Sequence, residues 1–249
     1  EDLGVQMNRK STLVSYVQRL MWVLTGNFGR TGTNYLPNGM GNIGRGTPGG
    51  MTPVTGARII AGLIPCNAIP EEILTDHPDR FRAMIVESAN PLHSLADSPA
   101  FREAMRALEF SVVIDIAMTE TAREADYVLP CTTQYEKAEA AFFNFEFPDN
   151  VFHLRKPVLP APAGVLDEGE IHARLAEALG AWPVEIVERL DRALDEGRSA
   201  FAARFAEEMK ADPALAAVAP GVLYRTLGGR LPAGCAQSAA LWAISHEFA

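Results

Sequence analysis

The sequence predicts an α/β fold with three layers, helix, sheet and helix (αβα), built on a mainly parallel sheet and followed by a helical segment. Three short apolar runs indicate the strands, at residues 83–87, 111–116 and 127–129. Helix-like stretches separate these runs, and this alternation is typical of a parallel, Rossmann-like sheet. Each run ends in a polar or turn-forming cluster. Because parallel strands end at one edge of a sheet, the clusters predict a ligand site there.

Ahead of the sheet, the sequence predicts one helix and one long loop. Apolar residues recur at helical spacing over residues 8–25, which predicts an amphipathic helix. Ser11 or Thr12 is expected to cap it, and Gly26 to end it. From Gly26 to Gly50 the chain contains nine glycines and no periodic pattern, which predicts a loop. A loop of this length is usually functional or packs against another part of the molecule.

Proline and capping residues mark the other helices. Pro70 suits the first turn of a short helix at residues 71–82. Ser98 and Pro99 have the types expected for the cap and first turn of a helix that ends near Leu108. Further helices are expected at residues 119–124, capped by Thr119, and at 169–179, 183–208 and 235–247.

Composition and charge exclude several classes of partner. The 249 residues include 31 acidic and 22 basic side chains, a net charge of −9, without a Lys/Arg run, so nucleic acid is not an expected partner. The longest apolar runs are far shorter than the ~20 residues of a membrane span. Three distant cysteines without a C-x-x-C pair argue against a local iron–sulfur or zinc motif and favour a reducing, cytoplasmic location. The chain starts without an initiator Met, so the lack of a secretory signal carries little weight.

Polar residues at the predicted strand ends are candidates for ligand contact. The Asp115 carboxylate can accept two hydrogen bonds from a guanine edge or from ribose hydroxyls; the alternative is a cap on the following turn. Backbone N–H groups and hydroxyls at Thr119 and Thr121 would suit a phosphate, with simple helix capping as the alternative. Pro91 holds Asn90 extended, which would direct its amide to the same edge, although a turn explains the pair as well.

Two further candidates follow the third predicted strand. Lys137 offers a point charge for a phosphate, whereas the default interpretation of Glu136-Lys137 is a solvated helix start. Asp167 and Glu168 precede an amphipathic helix, where acidic residues suit the helix dipole and need no ligand.

Several ordered motifs resemble those of the molybdopterin oxidoreductases, in which two pterin guanine dinucleotides hold molybdenum. The stretch LTGNFGRTGTN at Leu24–Asn34 is similar to the family's glycine turn at the cofactor cleft, with a flexible linker as the rival explanation. The family's Asn-Pro pair, strand-ending Asp, Thr-Glu-Thr-Ala turn, Ala-Asp-x-Val-Leu-Pro motif and Glu-Lys pair match, in order, Asn90-Pro91, Asp115, residues 119–122, residues 125–130 and Glu136-Lys137.

The resemblance covers about residues 1–180 and implies three segments. These are a helix with a glycine-rich cleft loop at 1–53, an αβα dinucleotide-binding domain at 54–165 and a helical segment at 166–249. Relatives place an Asp against guanosine just before the helix that follows; here Glu168 is taken for that contact, with Asp167 as the alternative. The full set of implied cofactor contacts is Asn90, Ile114, Asp115, Thr119, Thr121, Lys137 and Glu168.

The resemblance also implies parts that this sequence does not contain. Family members need a molybdenum ligand on an earlier domain, many carry a cysteine cluster for [4Fe–4S], and a carboxy-terminal β-rich domain grips both dinucleotides. We therefore expect the chain to be the central part of a molybdenum-dependent oxidoreductase, similar to formate dehydrogenase or nitrate reductase, without catalytic or metal-ligating residues of its own. Its expected partners are the missing domains of the parent and an electron-transfer subunit.

Two other interpretations compete with this one. A non-catalytic relative, like the large iron–sulfur subunit of respiratory complex I, would keep the fold as an electron-transfer scaffold without molybdenum. A generic dinucleotide-binding module is disfavoured because no G-x-G-x-x-G follows a strand. Asp115, Lys137 and the glycine turn together favour a cofactor-bearing protein.

Overall fold

The computed structural model describes residues 3–6, 8–36, 49–60, 62–141, 149 and 151–245. The chain divides into two compact units, one made of Glu1–Asn42 with Ala141–His153 and the other of Ile43–Ala140 with Leu154–Ala249. Every candidate site residue belongs to the second unit.

Helices and strands alternate through the middle of the chain, and helices dominate after it. The helices are α1 (Leu3–Gln6), α2 (Ser11–Leu24), α3 (Ile69–Leu74), α4 (Pro91–Ser94), α5 (Ser98–Ala107), α6 (Glu168–Ala178), α7 (Val184–Glu196), α8 (Arg198–Ala211), α9 (Ala219–Leu227) and α10 (Leu241–Ser245). The strands are β1 (Gly50–Met51), β2 (Arg58–Ile59), β3 (Ala83–Glu87), β4 (Phe110–Asp115), β5 (Tyr127–Pro130), β6 (Glu139–Ala141) and β7 (His153–Arg155). Within the described residues, no helix combines the length and the apolar character that crossing a bilayer requires.

The first unit contains α2, which confirms the helix predicted over residues 8–25. Gly26 follows it with φ 70°, the left-handed conformation in which many helices end. The predicted cap was wrong, because Lys10 holds the cap position and its side chain makes no capping hydrogen bond. None of the α2 residues is buried. The large apolar side chains that it exposes are Leu13, Val14, Tyr16, Val17, Leu20, Met21, Val23 and Leu24.

Part of the predicted glycine loop is described. Gly29 and Gly32 have φ values of 71° and 82°, which residues with a side chain rarely adopt, and this explains glycine at both places. The loop turns back on itself there, since the Gly29 N–H donates to Asn34 O at 2.9 Å. Residues 37–48 of the predicted loop lie outside the described residues. At its far end Gly50 belongs to β1, which pairs antiparallel with β2.

The main sheet consists of β3, β4 and β5 in that order, and all three strands are parallel, as the apolar runs predicted. Val113 in the central strand pairs with Val86 of β3 and with Val128 of β5. Side chains alternate between the faces of a strand, so Val112 and Ile114 pack on the face opposite to that of Val113.

Helices cover both faces of this sheet, which confirms the three-layer fold. On one face, Ile171 of α6 packs with Val112 and Ile114. On the other, the buried side chains Leu92 of α4 and Phe101 of α5 form a cluster that reaches the sheet through Met84. A buried residue of this size stabilises a fold by about 1.5–3 kcal/mol relative to an exposed one, so these contacts hold the strand ends in place.

Leu166 extends the sheet by a fourth parallel position. It forms an isolated parallel bridge with Cys131, just past the end of β5. The Thr132 N–H donates to Leu166 O at 3.0 Å. Since α6 begins at Glu168, its first turn starts at the same edge of the sheet where the strands end.

One helix differs from its predicted bounds, and another differs from its predicted cap. α3 ends at Leu74 instead of residue 82, because Pro78 disfavours a helical conformation at the residue before it. α5 is capped by Asp97, not by Ser98: the Asp97 carboxylate accepts from the Ala100 N–H at 3.2 Å. Asp97 adopts φ 58°, and Asp tolerates this conformation better than most residues do.

In the second half of the chain, one predicted helix proved to be two. The helix expected over residues 183–208 is broken at Gly197, whose φ of 130° and ψ of 170° are not helical, into α7 and α8. α9 was not among the predicted helices, and it contains Pro220 and Gly221, two residues of low helix propensity. Gly221 is needed for packing, since a Cβ there would lie 2.8 Å from the Trp182 ring. Trp182 belongs to a buried core shared by α7, α8 and α9.

A buried carboxylate anchors the segment between β1 and β2. Glu72 of α3 is fully buried. It accepts hydrogen bonds from the Thr55 hydroxyl at 2.6 Å, the Thr55 N–H at 2.8 Å and the Val54 N–H at 3.1 Å. Burial raises the pKa of Glu72, but hydrogen bonds from Thr52, Thr55 and Val54 outweigh burial and lower it to about 2. The carboxylate is therefore charged at neutral pH, and its hydrogen bonds hold this turn against α3.

Candidate functional site

The predicted polar residues meet at the carboxyl edge of the main sheet. The register pairs Glu87 with Ile114, and Asp115 with Pro130, so all three strands end level with one another. Leu166 joins the same edge through its bridge to Cys131. Chain segments with polar side chains leave from the three strand ends, which is the arrangement that the sequence predicted for a ligand site, and Leu166 adds an unpredicted fourth position.

Asn90 is held by the turn that follows the neighbouring strand. Its side-chain oxygen accepts from the Thr121 hydroxyl at 2.8 Å and from the Thr121 N–H at 3.3 Å, and its amide donates to Glu120 at 2.6 Å. Hydrogen bonding from Asn90 lowers the pKa of Glu120. Thr121 is fully buried, and its hydroxyl also accepts from the Leu92 N–H at 3.2 Å. Asn90 and Thr121 therefore build the edge, and their own side chains are engaged within it.

Asp115 closes the turn after β4. One of its oxygens, Oδ1, accepts from the N–H groups of Ile116 at 2.7 Å and Ala117 at 3.3 Å. The side chain is half-buried, so the carboxylate remains accessible from the edge. Ile114, next to it, is fully buried in the sheet core, and its carbonyl accepts from the Ser88 N–H at 3.0 Å. The Ile114 side chain thus supports the edge from the core, and its contact with a ligand stays a prediction.

The helix predicted over residues 119–124 is shorter, a 3₁₀ helix at Ala122–Glu124 whose cap position is held by Thr121, and Thr119 bonds its start. The Thr119 hydroxyl accepts from the Ala122 N–H at 3.2 Å. The helix is one turn long. The phosphate-binding role of Thr119 and Thr121 stays a prediction, because both hydroxyls already hold the turn together.

Lys137 and Glu168 form a largely buried ion pair across this edge. Lys137 Nζ donates to Glu168 Oε1, and each side chain is only 14% exposed. Asp167 has a different task, because its carboxylate caps α6 by accepting from the Glu170 N–H at 2.8 Å, and it also accepts from the Tyr224 hydroxyl at 3.3 Å. Of the two adjacent acids, Glu168 is therefore the one beside Lys137. The pairing also neutralises Lys137, which weakens the case for it as a phosphate contact.

Two buried polar atoms at this place have no hydrogen-bond partner among the residues that the structure describes. They are Oε2 of Glu168 and Oγ1 of Thr132. Glu168 Oε2 is an acceptor only, so the edge fits a ligand group that carries N–H or O–H donors. The sequence contained a weak signal for Thr132, since it belongs to the polar cluster after the third predicted strand.

Cys131 lies beside the pair but behaves as a small apolar residue. Burial, and secondarily the charge of Glu168, raises the pKa of its thiol to about 11, so the thiol stays protonated at neutral pH. It packs with Val112 and Ile171. Across the described parts of the chain, no three His, Cys, Asp or Glu side chains come together as a metal site.

Two features of the edge were not predicted. His172 of α6 contacts Glu87 at the end of β3, with Nε2 and Oε2 2.7 Å apart, and so fixes α6 across the sheet. Ser88 has φ 51°, an unusual conformation for a residue with a side chain. Neither contact nor conformation leaves a pattern in the sequence.

Comparison with known proteins identifies a family for most of the chain. A family model described as molybdopterin oxidoreductase matches residues 4–178. The alpha subunit of an F420-dependent formate dehydrogenase from Methanocaldococcus jannaschii is 30% identical over 174 residues, 64% of this chain and 25% of that protein. A second such alpha subunit, from Methanococcus maripaludis, is 36% identical over 110 residues, 44% of this chain and 16% of its own length.

A relative named for a different activity matches as well. The assimilatory nitrate reductase catalytic subunit of Bacillus subtilis is 31% identical over 99 residues, 40% of this chain and 13% of that protein. The chain thus spans a quarter or less of the length of these curated relatives.

Proposed function

This chain belongs to the molybdopterin oxidoreductase family, and we propose that it is the part of a larger oxidoreductase that holds one molybdopterin guanine dinucleotide at the carboxyl edge of its sheet. The observation that carries the proposal is the buried, unpartnered Glu168 oxygen beside Lys137, at the edge where Asp115 also lies. Two carboxylates at one strand edge suit the donor-rich edge of a guanine base.

The charges at this edge of the sheet favour the guanine end of the dinucleotide over its phosphates. Asp115 and Glu168 carry negative charge, and Lys137 offsets only one of them, so a phosphate between them would be repelled. A guanine base is uncharged and offers several N–H donors to carboxylate oxygens. We therefore assign Asp115 and Glu168 to the base or ribose.

When bound, the cofactor supplies two-electron redox chemistry, usually with transfer of an oxygen atom or hydride to or from a small substrate. The residues of this chain orient the nucleotide and keep its donors paired. The relatives named for formate and nitrate make a small oxyanion the substrate class to test first. We propose that the molybdenum ligand, and any [4Fe–4S] cluster, belong to other domains of the parent, and that the 249 residues alone have no redox activity.

A proposed partner is an electron-transfer subunit. Its support is that two relatives are named as alpha subunits. Copurification of the full-length protein from its own host, with redox cofactors identified in any companion subunit, is the direct measurement.

The test of the main proposal is chemical analysis of the full-length protein. Acid hydrolysis should release GMP in near-stoichiometric amount, and elemental analysis should find molybdenum. Iron–sulfur clusters without GMP or molybdenum would instead favour the electron-transfer scaffold typified by the complex I subunit. A folded protein with none of these groups would contradict both.

A further inference from the structure

The two chain segments that carry the unpartnered buried atoms are joined by one backbone hydrogen bond. The Thr132 N–H donates to Leu166 O at 3.0 Å, and Glu168 follows Leu166 by two residues. Thr132 is 4% exposed, and its hydroxyl oxygen is wholly buried. Buried side-chain polar atoms in folded proteins nearly always have a partner. Two such atoms at the junction of β5 and α6 therefore point to a shared partner from outside this chain.

We propose that the Thr132 hydroxyl is a direct contact for the bound nucleotide, acting together with Glu168 Oε2. The inference rests on the proposed function and adds a residue and a chemistry to it. A carboxylate oxygen can only accept, whereas a hydroxyl can also donate. The pair therefore matches a ligand edge on which an N–H donor lies next to an acceptor, as on a purine base.

The surroundings disfavour a charged group as the shared partner. Lys137 already bonds the first oxygen of Glu168, so the site has no spare positive charge for a phosphate or carboxylate. Cys131 next to Thr132 packs into the sheet core and offers no polar partner on that side. A neutral, hydrogen-bonding group is the chemistry that remains.

Isosteric substitution separates a ligand contact from a structural one. Thr132→Val removes the hydroxyl and keeps the shape, Thr132→Ser keeps the hydroxyl, and Thr133→Val is the matched control at the half-buried neighbouring position. Each variant of the full-length protein is prepared in two forms. One form carries the cofactor. The other is produced in a host that cannot attach the guanine nucleotide, and it lacks the cofactor. The rate at which GMP-containing cofactor leaves the folded protein and the thermal midpoint of the cofactor-free protein are measured.

The expected result is that Thr132→Val loses the nucleotide about tenfold faster than wild type, the effect of one lost hydrogen bond. Thr132→Ser and Thr133→Val should stay near wild type. The cofactor-free Thr132→Val protein should melt no lower than wild type, because an unsatisfied buried hydroxyl has been removed.

Two results overturn the inference while leaving the proposed function intact. One is a Thr132→Val protein that retains nucleotide like wild type, with the hydroxyl then bonded to an ordered water only. The other is an equal loss of thermal stability with and without cofactor, which would make the hydroxyl part of the fold. A folded wild-type protein without guanine nucleotide would overturn the inference and the proposed function together.

Discussion

The Asn90 side-chain oxygen accepts a 2.8 Å hydrogen bond from the Thr121 hydroxyl, and this bond joins the end of β3 to the turn after β4. The contact spans two strand ends that are far apart in sequence. Thr121 is fully buried and also bonds the first turn of α4 through the Leu92 N–H. The edge is therefore organised by protein hydrogen bonds before any ligand binds.

The first prediction concerns this bond. Thr121→Val keeps the side-chain shape but leaves Asn90 Oδ1 and the Leu92 N–H without their hydroxyl partner. The free energy of unfolding should fall by about 1–3 kcal/mol, measured by urea denaturation. Thr121→Ser, which keeps the hydroxyl, should lose less. Equal midpoints for wild type and the valine variant would show that the network adds nothing to stability.

The second prediction concerns Asp115→Asn in the full-length protein. Oδ1 can keep its bonds to Ile116 and Ala117 in either residue, so the thermal midpoint should change little. Asparagine loses the negative charge and turns the second acceptor into a donor. A lost charge-assisted hydrogen bond costs about 1.5–3 kcal/mol, so nucleotide retention should fall on the order of tenfold to a hundredfold. Unchanged GMP content in a well-folded variant would reduce Asp115 to a turn residue.

A third prediction uses the pKa of Glu72. Its folded-state pKa of about 2 lies below the ordinary value of 4.5. The ionised carboxylate therefore contributes its full stabilisation above the ordinary value of 4.5, and this stabilisation is lost as the pH falls toward 2. Glu72→Gln should lower the free energy of unfolding by about 1–3 kcal/mol at neutral pH, because a donor replaces an acceptor among buried N–H groups.

The same variant should lose less additional stability than wild type when unfolding is repeated between pH 5 and pH 3, where wild type loses its carboxylate contribution. Glu71→Gln, at the exposed neighbouring position, is the matched control and should follow wild type. Parallel pH profiles for all three proteins would refute a role for Glu72 in this dependence.

A fourth prediction follows from the φ of 51° at Ser88. Glycine adopts this conformation without the clash that a Cβ causes, so Ser88→Gly should stabilise the fold by about 0.5–1 kcal/mol. Ser88→Ala removes the hydroxyl without relieving the backbone and should bring no gain. Thermal unfolding of the three proteins compares them directly; a gain in the alanine variant alone would assign the cost to the hydroxyl instead.

The strands and the polar edge were predictable because their signals are local. Apolar runs bounded by turn residues place β3, β4 and β5 to within a residue or two, and parallel pairing then brings Asn90 and Asp115 to one edge. Helix bounds were less predictable where tertiary contacts decide them. Gly221 is a poor helix former, yet it lies inside α9, where the Trp182 ring packs closely against it.

The finer chemistry of the site could not be predicted for the same reason. Lys137 and Glu168 are 31 residues apart, and the bridge between Cys131 and Leu166 joins the two chain segments that carry them. Which acid caps α6 and which pairs with Lys137 depends on where the helix begins. The first helical residue is Glu168, so Asp167 becomes the cap.

α2 exposes eight large apolar side chains. In a cell, chaperones bind and proteases degrade proteins that expose apolar surface of this kind. Synthesised alone, the chain is therefore expected to be scarce because it is cleared, whatever its chemistry. Its steady-state level in a cell becomes a measure of how completely α2 is covered by other protein.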